Sequence, residues 1–471
     1  MVTDTHAPAG AGLRLAFYGD DFTGSTDALE VLAFAGLRCA LFLGVPSAEL
    51  LAQLGPFDAI GVAGDSRAMS PAEMQQRLPA LFARLAALPV PLVHYKVCST
   101  FDSSPSVGSI GQVMELARVA FGDTPIPVVA ATPALGRYCT FGHLFARSGT
   151  DGKVHRLDRH PIMSVHPMTP MHEADLALHL GAQTAFRIAK FTLPLFALGR
   201  DGTERELGRA MAAAPDAIVF DGTTAGHLTE LGRWLDTQRR AEGQPPRFAV
   251  GSSGLEYALT QWWRENGTLP AVTRDYAAFD AVPQVLAVSG SASPLSALQI
   301  DAALEAGFVD LAVDAAALVS ESAGPAALAA LAERAITALR AGRSVMLHTA
   351  RGPQDPRIDM LIAALALDGR SHEQARHEGG RRLGQCLGVV VDRVLRAVPL
   401  RRLLLSGGDT SSQITQCLAP DALQVEARLA PGAPLCRVLS RQDHLRGLQI
   451  ALKGGQMGQP DYFLAAMRGT P

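Results

Sequence analysis

The feature that most restricts the fold is a repeated local grammar: a short apolar run, an abrupt burst of Gly, Ser, Thr, Asp or Arg, then an amphipathic or apolar helix. Its first occurrence, Leu13 to Ala35, sets two adjacent carboxylates, Asp20 and Asp21, at the end of an apolar run. Further runs follow at Cys39–Leu43, Ala59–Ala63, Leu92–Val97, Val128–Ala131, Ala217–Phe220 and Phe248–Val250. Continuous apolar runs suit strands buried on both faces, and strands alternating with helices imply a parallel sheet wound by helices. The expected fold class is α/β, with the polar bursts along one sheet edge, where ligands of such folds bind.

The grammar breaks once and restarts. Residues 265–283 show no sustained period and carry Pro270 and Pro283, as a linker would. Runs resume at Gln284–Ser289, Ser344–His348, Arg402–Ser406 and Gln449–Leu452. At 471 residues the chain exceeds a single ordinary core. Two domains are expected, 13–264 and 284–464, each a mainly parallel sheet flanked by helices, with the active site in the cleft between them.

Charge and cysteine usage narrow the partners. A net charge of -3 gives no basic footprint for nucleic acid, so small ligands are expected. The first dozen residues, MVTDTHAPAGAG, lack a basic stretch before an apolar core and read as a loose tail. The most apolar window, Ala28 to Val45, is split into helix and strand by Glu30, Gly36 and Arg38, so no membrane span is expected. Six scattered cysteines without a CxxC pair point to reduced thiols in the cytoplasm and away from zinc.

At the first corner, Asp20, Asp21, Thr23, Ser25 and Thr26 are expected on the loop before the helix. Capping by Thr23 or Ser25, or by an Asp27/Glu30 pair, explains some of these residues. A second consecutive aspartate at a strand end is left over, and its burial is costly unless a cation, donor or ligand hydroxyl meets it. One of the pair is expected to accept a proton while the other braces the loop, with Asp21 preferred for the first task because it lies nearer the helix start. Arg67 and Lys96 are basic residues inside strand-end bursts, suited to gripping a carboxylate or to neutralising these aspartates. Residues 143–179 hold six of the 13 histidines among Pro161, Pro167 and Pro170. Without metal-ligand spacing, this reads as an extended arm, lid or subunit contact, so no metal site of the protein's own is expected.

In the second half, Gly407-Gly408-Asp409-Thr410 follows a strand and Gly454-Gly455 follows another. Glycine lets a phosphate approach backbone N–H groups, and the start of the following helix favours anions. Asp409 is placed to hold magnesium or a ribose hydroxyl. Ser293 before Pro294 reads as a helix cap, which leaves Ser291 unexplained. Neither a P-loop nor a dinucleotide fingerprint is present. Spacing alone therefore fits a kinase of a small anionic substrate, a nicotinamide-dependent hydroxyacid oxidoreductase, or a non-catalytic acid-binding protein.

Seven motifs in order, GDDFTGSTD, GDSR, KVCSTFDSS, HPMTPMHEADL, GSASP, SGGDT and KGGQMG, closely resemble those of the four-carbon acid sugar kinases, formerly called DUF1537. The resemblance runs from about Leu13 to Phe463. It implies an N-terminal substrate-binding domain, a C-terminal nucleotide-binding domain, and phosphorylation by ATP with Mg2+ of the terminal hydroxyl of a tetronate or 3-oxo-tetronate. By motif match, acid contacts fall on Asp20, Asp21, Arg67, Lys96, Cys98, Ser99 and Thr100. ATP contacts fall on Ser291, Gly407, Gly408, Asp409, Thr410 and Gly454. A homodimer is compatible with this reading; nucleic acid and membrane partners are not expected. Two departures from the commoner pattern are Tyr18-Gly19 before the acid pair and Met457 in the last turn.

Overall fold

Apolar runs that must be covered on both faces dictate the architecture, and the strands they form are buried almost throughout. The computed structural model describes residues 12–148, 152–166, 169–238, 243–269, 275–366 and 372–470, without the side chains of 366 and 372–378. All but Gly12 of the expected tail, part of the expected linker (270–274) and two residues of HPMTPMHEADL (167 and 168) lie outside the described residues.

By contacts the chain divides into one unit of Met1–Cys39 and Gly44–Thr273 and a second of Ala40–Leu43 and Arg274–Pro471. The strands are β1 (Leu15–Gly19), β2 (Cys39–Phe42), β3 (Ala59–Ala63), β4 (Leu92–Lys96), β5 (Ile126–Val129), β6 (Arg137–Thr140), β7 (His143–Arg147), β8 (Val154–Arg156), β9 (Ile188–Phe191), β10 (Ala217–Phe220) and β11 (Arg247–Gly251). In the first unit the order is β3-β1-β4-β11-β5-β10-β9, and the pairings along it are parallel. Parallel pairing puts the ends of β3, β1, β4, β11 and β5 on one edge, as the repeated grammar requires. Strands β6, β7 and β8 form a separate antiparallel sheet, so the histidine-bearing stretch is not simply an extended loop.

The first corner differs from its expectation. Gly19 is the last residue of β1, and a Cβ there would lie 1.9 Å from Ser25 Oγ. The helix starts at Phe22, not at Ala28, and runs to Phe34. Asp21 is its N-cap, accepting from Gly24 N at 2.9 Å. Thr23, Ser25 and Thr26 therefore lie in the first helical turns, where Ser25 Oγ donates to Asp21 O and Thr26 Oγ1 to Thr23 O. With Asp21 already in the cap, the helix needs no Asp27/Glu30 pair.

The second unit holds β12 (Leu286–Ser289), β13 (Val309–Ala312), β14 (Val345–His348), β15 (Arg402–Ser406), β16 (Ala422–Ala430), β17 (Ala433–Leu439) and β18 (Gln449–Lys453). Its order is β13-β14-β12-β15-β18-β17-β16. The first five strands are mutually parallel, and β17 and β16 extend them antiparallel. Leu41 and Phe42 of β2 pair antiparallel with Leu423 and Ala422 of β16. One core of this unit gathers Val285, Ala287, Ile300, Met346, Leu404, Ala451, Tyr462 and Phe463 between the sheet and the helices Pro294–Glu305 and Tyr462–Arg468. Both units are thus mainly parallel α/β sheets flanked by helices.

Candidate active site

In the first unit the strand ends bring together charges that are far apart in sequence. Asp20 N donates to Lys96 O at 2.8 Å and Asp20 O accepts from Arg67 N at 3.0 Å, so the backbone at the end of β1 is tied to both neighbouring strand ends. The Asp20 side chain is 3% exposed, and its Oδ1 has no hydrogen-bond partner. Burial raises its pKa, Arg67 opposes this, Asp21 adds to it, and the net result is a carboxyl pushed up to about 7.

Asp21 has a different environment. Besides capping the helix it is paired with Arg67 Nη2, and Arg67 Nη1 lies 3.9 Å from Asp102 Oδ2. Asp102 also accepts from Thr100 Oγ1 at 2.7 Å, and Cys98 Sγ lies 3.1 Å from that hydroxyl. Burial raises the Asp102 pKa, but Arg67 and the Thr100 and Cys98 hydrogen bonds outweigh it and hold the group below the ordinary carboxylate value. Lys96, 2% exposed, has its Nζ 3.3 Å from Asp27 Oδ2. Ser99 Oγ accepts from Arg137 Nε at 3.1 Å. Asp20, Asp21, Arg67, Lys96, Cys98, Ser99 and Thr100 thus share the edge formed by the ends of β3, β1 and β4.

Three more charged residues belong to this cluster and were not singled out from the sequence. Asp27 read as a capping residue, Asp102 was one letter of a longer burst, and Arg137 follows a turn instead of a strand. Each sits six to eight residues past the end of β1, β4 or β5, and that position was the available signal. The histidine segment contributes once: His179 Nε2 lies 2.9 Å from Ser103 Oγ, behind the Lys96–Ser104 loop. Burial lowers His179 to about 4, so it is neutral near pH 7. Among the described residues, no group of three or more His, Cys, Asp or Glu could hold a metal ion.

In the second unit, β12, β15 and β18 are neighbours and their ends converge. Gly290 N donates to Ser406 O and Gly407 N to Lys453 O, both at 2.9 Å. Gly407 has φ of 104° and passes directly into the helix Gly408–Leu418, a step that favours glycine. A Cβ on Gly290 would lie 1.8 Å from Thr410 Oγ1, and one on Gly455 would lie 2.1 Å from Ser291 Oγ. Ser291, Gly407, Thr410 and the Gly454-Gly455 turn are therefore packed round one point at the start of an 11-residue helix. Ser293 is the cap of the helix Pro294–Glu305, as its sequence suggested, and its Oγ also donates to Gly455 O at 2.5 Å. Asp409 is exposed in the first turn. Gly454 N donates to Met457 Sδ at 3.2 Å, so the unusual methionine covers a backbone donor of the turn.

Residues 15–259 match the sugar-binding N-terminal domain and residues 286–463 the nucleotide-binding C-terminal domain. The chain belongs to the four-carbon acid sugar kinase family. Among curated relatives of this kinase family, a 3-oxo-isoapionate kinase of Paraburkholderia graminis is 45% identical over 96% of this chain and 94% of its own. A 3-oxo-tetronate kinase of Cupriavidus necator is 30% identical over 96% of each chain. A Salmonella typhimurium LT2 structure shares the fold at 23% identity, with a TM-score of 0.74 over 97% of this chain and 100% of that one. A Haemophilus influenzae structure described as DUF1537 does so at 23% identity and a TM-score of 0.69, over 96% and 98%. The protein is an enzyme that phosphorylates a hydroxyl group, which removes the oxidoreductase and the non-catalytic binder from consideration. No described helix is long and apolar enough to cross a membrane.

Proposed function

We propose that the enzyme transfers the γ-phosphoryl group of ATP to a hydroxyl of a 3-oxo sugar acid, and that 3-oxo-isoapionate is the first acid to test. The 45% identity to a 3-oxo-isoapionate kinase over nearly the whole length carries this choice, against 30% to a 3-oxo-tetronate kinase. In this reading domain 13–264 takes the acid and domain 284–464 the nucleotide. Acid contacts fall on Asp20, Arg67, Lys96, Cys98, Ser99 and Thr100. ATP contacts fall on Ser291, Gly407, Gly408, Asp409, Thr410 and Gly454.

Phosphoryl transfer asks little covalent chemistry of a protein: alignment, charge neutralisation and a place for the hydroxyl proton. Asp20 suits the last task better than Asp21, the earlier preference. Its Oδ1 is unpartnered and its carboxyl is poised near 7, whereas Asp21 is occupied by the helix cap and by Arg67. Asp21 then holds Arg67 and the start of the helix in place. For magnesium, the chain supplies one exposed carboxylate, Asp409, beside the glycine turns, which fits a cation held chiefly by nucleotide phosphates and water. Bound there, the ion would offset phosphate charge.

The test is a coupled assay of ATP consumption with magnesium, across 3-oxo-isoapionate, 3-oxo-tetronates and the corresponding tetronates. The expected outcome is highest kcat/KM on a 3-oxo acid. Turnover restricted to non-oxo tetronates would overturn the substrate choice, and no nucleotide-dependent turnover of any acid would overturn the reaction.

A further inference from the structure

Among the described residues, Arg67, Lys96 and Arg137 are the cations tied to the cluster at the ends of β3, β1 and β4, and two are already compensated: Arg67 by Asp21 and Asp102, Lys96 by Asp27. Arg137 is not. Its backbone is fixed by a tight return after β5, in which Thr132 N donates to Arg137 O and Arg137 N to Thr132 O, with Gly136 at φ of 69° closing the turn. Its guanidinium donates from Nε to Ser99 Oγ at 3.1 Å and from Nη1 to Leu135 O at 2.6 Å. Among the described residues no carboxylate lies within ion-pair distance of it; Asp27 and Cys98 are felt only electrostatically. Burial lowers its pKa from the ordinary arginine value, the direction expected of a guanidinium withdrawn from water with no anion beside it.

A guanidinium carries five N–H donors in a fixed fork, of which two are used here. A partly buried cation with unused donors is complementary to a planar anion that can take two of them. We propose that Arg137 receives the carboxylate of the acid substrate, while Arg67 and Lys96, held by their own aspartates, order the end that reacts. This rests on the acid kinase reading and deepens it by assigning the acid's anionic end. Ser99, which holds Arg137, follows β4, and Asp20 follows β1, the strand paired with it, so the two tasks fall at neighbouring strand ends. It also separates the tasks. The carboxylate is gripped where positive charge is in excess, and the hydroxyl lies where a carboxyl is free to take a proton.

The experiment compares wild type, Arg137→Gln and Arg137→Lys on the best acid of the panel and on that acid's primary amide, which keeps the shape and loses the charge. For Arg137→Gln the expected change is a rise of about 10- to 100-fold in KM for the acid, the worth of a charge-assisted hydrogen bond. KM for ATP and the kinetics on the amide should stay within about twofold of wild type on the same reasoning. The lysine variant should fall between. Equal losses on acid and amide, or an unchanged KM for the acid, would overturn the assignment. Unchanged ATP affinity certifies the fold, and if the glutamine variant does not fold, the lysine variant decides by the same acid-to-amide ratio. Should wild type phosphorylate no acid at all, the kinase reading fails separately. Calorimetric binding of threonate to wild type and variant then decides Arg137: weaker binding to the variant supports it and equal binding overturns it.

Discussion

Asp20 and Asp21 are adjacent in the chain yet face different surroundings, and that difference yields two measurable effects. A carboxyl raised from 3.8 to about 7 holds a proton in the folded state that the unfolded chain releases near pH 4. Its contribution to stability is therefore full below pH 4 and is lost as pH rises through about 7. Asp20→Asn should flatten that slope and stabilise the protein at pH 8 by on the order of 1–3 kcal/mol, read by denaturant melts at pH 4, 6 and 8. The same replacement removes the proton acceptor, so kcat should drop by about 10²- to 10⁴-fold. Asp21→Asn should instead weaken the Arg67 pair and raise KM for the acid. If the Asn variant at Asp20 turns over within a few-fold of wild type, the first corner is structural. Arg67→Lys keeps the charge but cannot reach Asp21 and Asp102 in the same fork, so KM for the acid should rise more than that for ATP. Equal effects on both would make Arg67 a brace alone.

At the scale of elements, buried parallel strands were legible because each is a short apolar run ending in a polar burst. The strands not foreseen obey a different pattern. β16 alternates apolar and polar residues, as an antiparallel strand with one covered face does, and its burial alternates from Leu423 on; β17, its partner, opens with Ala433-Pro434, not the start of an unbroken apolar run after a turn of the repeated grammar. β13 and β9 lie at sheet edges and are only partly buried, so neither needs an unbroken apolar run. The helix start at Phe22 was missed because the cap is Asp21 itself, a residue read for its chemistry and not for its geometry. The acid cluster was legible down to the residue types inside bursts. Which carboxylate pairs with which cation was not, since pairing depends on strand order, and β1 lies between β3 and β4. The glycine turns give a prediction at this scale. Gly408 opens the helix Gly408–Leu418, where valine is no poorer a helix former than the glycine it replaces. Gly408→Val should accordingly melt near wild type while its ATP affinity falls at least about tenfold, from loss of backbone approach to phosphate. Unchanged ATP binding by calorimetry in the folded variant would remove this turn from the nucleotide site.

At the scale of the whole molecule, a division read from linkers cannot see a strand that belongs with the other half of the chain. The contacts count Ala40–Leu43 with the second unit, and its sheet reaches β2 through Leu41–Leu423 and Phe42–Ala422. Antiparallel pairing there covers backbone groups of β16 that would otherwise form an open sheet edge, a place where chains pair wrongly with one another. A substitution within the first fifty residues should therefore be felt in the last fifty. Leu41 is fully buried, and Leu41→Ala should cost about 2–5 kcal/mol, the usual range for a truncated core leucine. The location of the damage is the sharper test. Amide exchange at Ala422 to Val425 should accelerate well before exchange in β15 and β18, which lie further along the sheet from β2. Light scattering should rise as the β16 edge opens. If the variant folds and β16 keeps its full protection while only the first unit loosens, then the pairing of β2 with β16 contributes nothing to the second unit, and a chain cut at the linker should yield a C-terminal half as stable as in the intact enzyme.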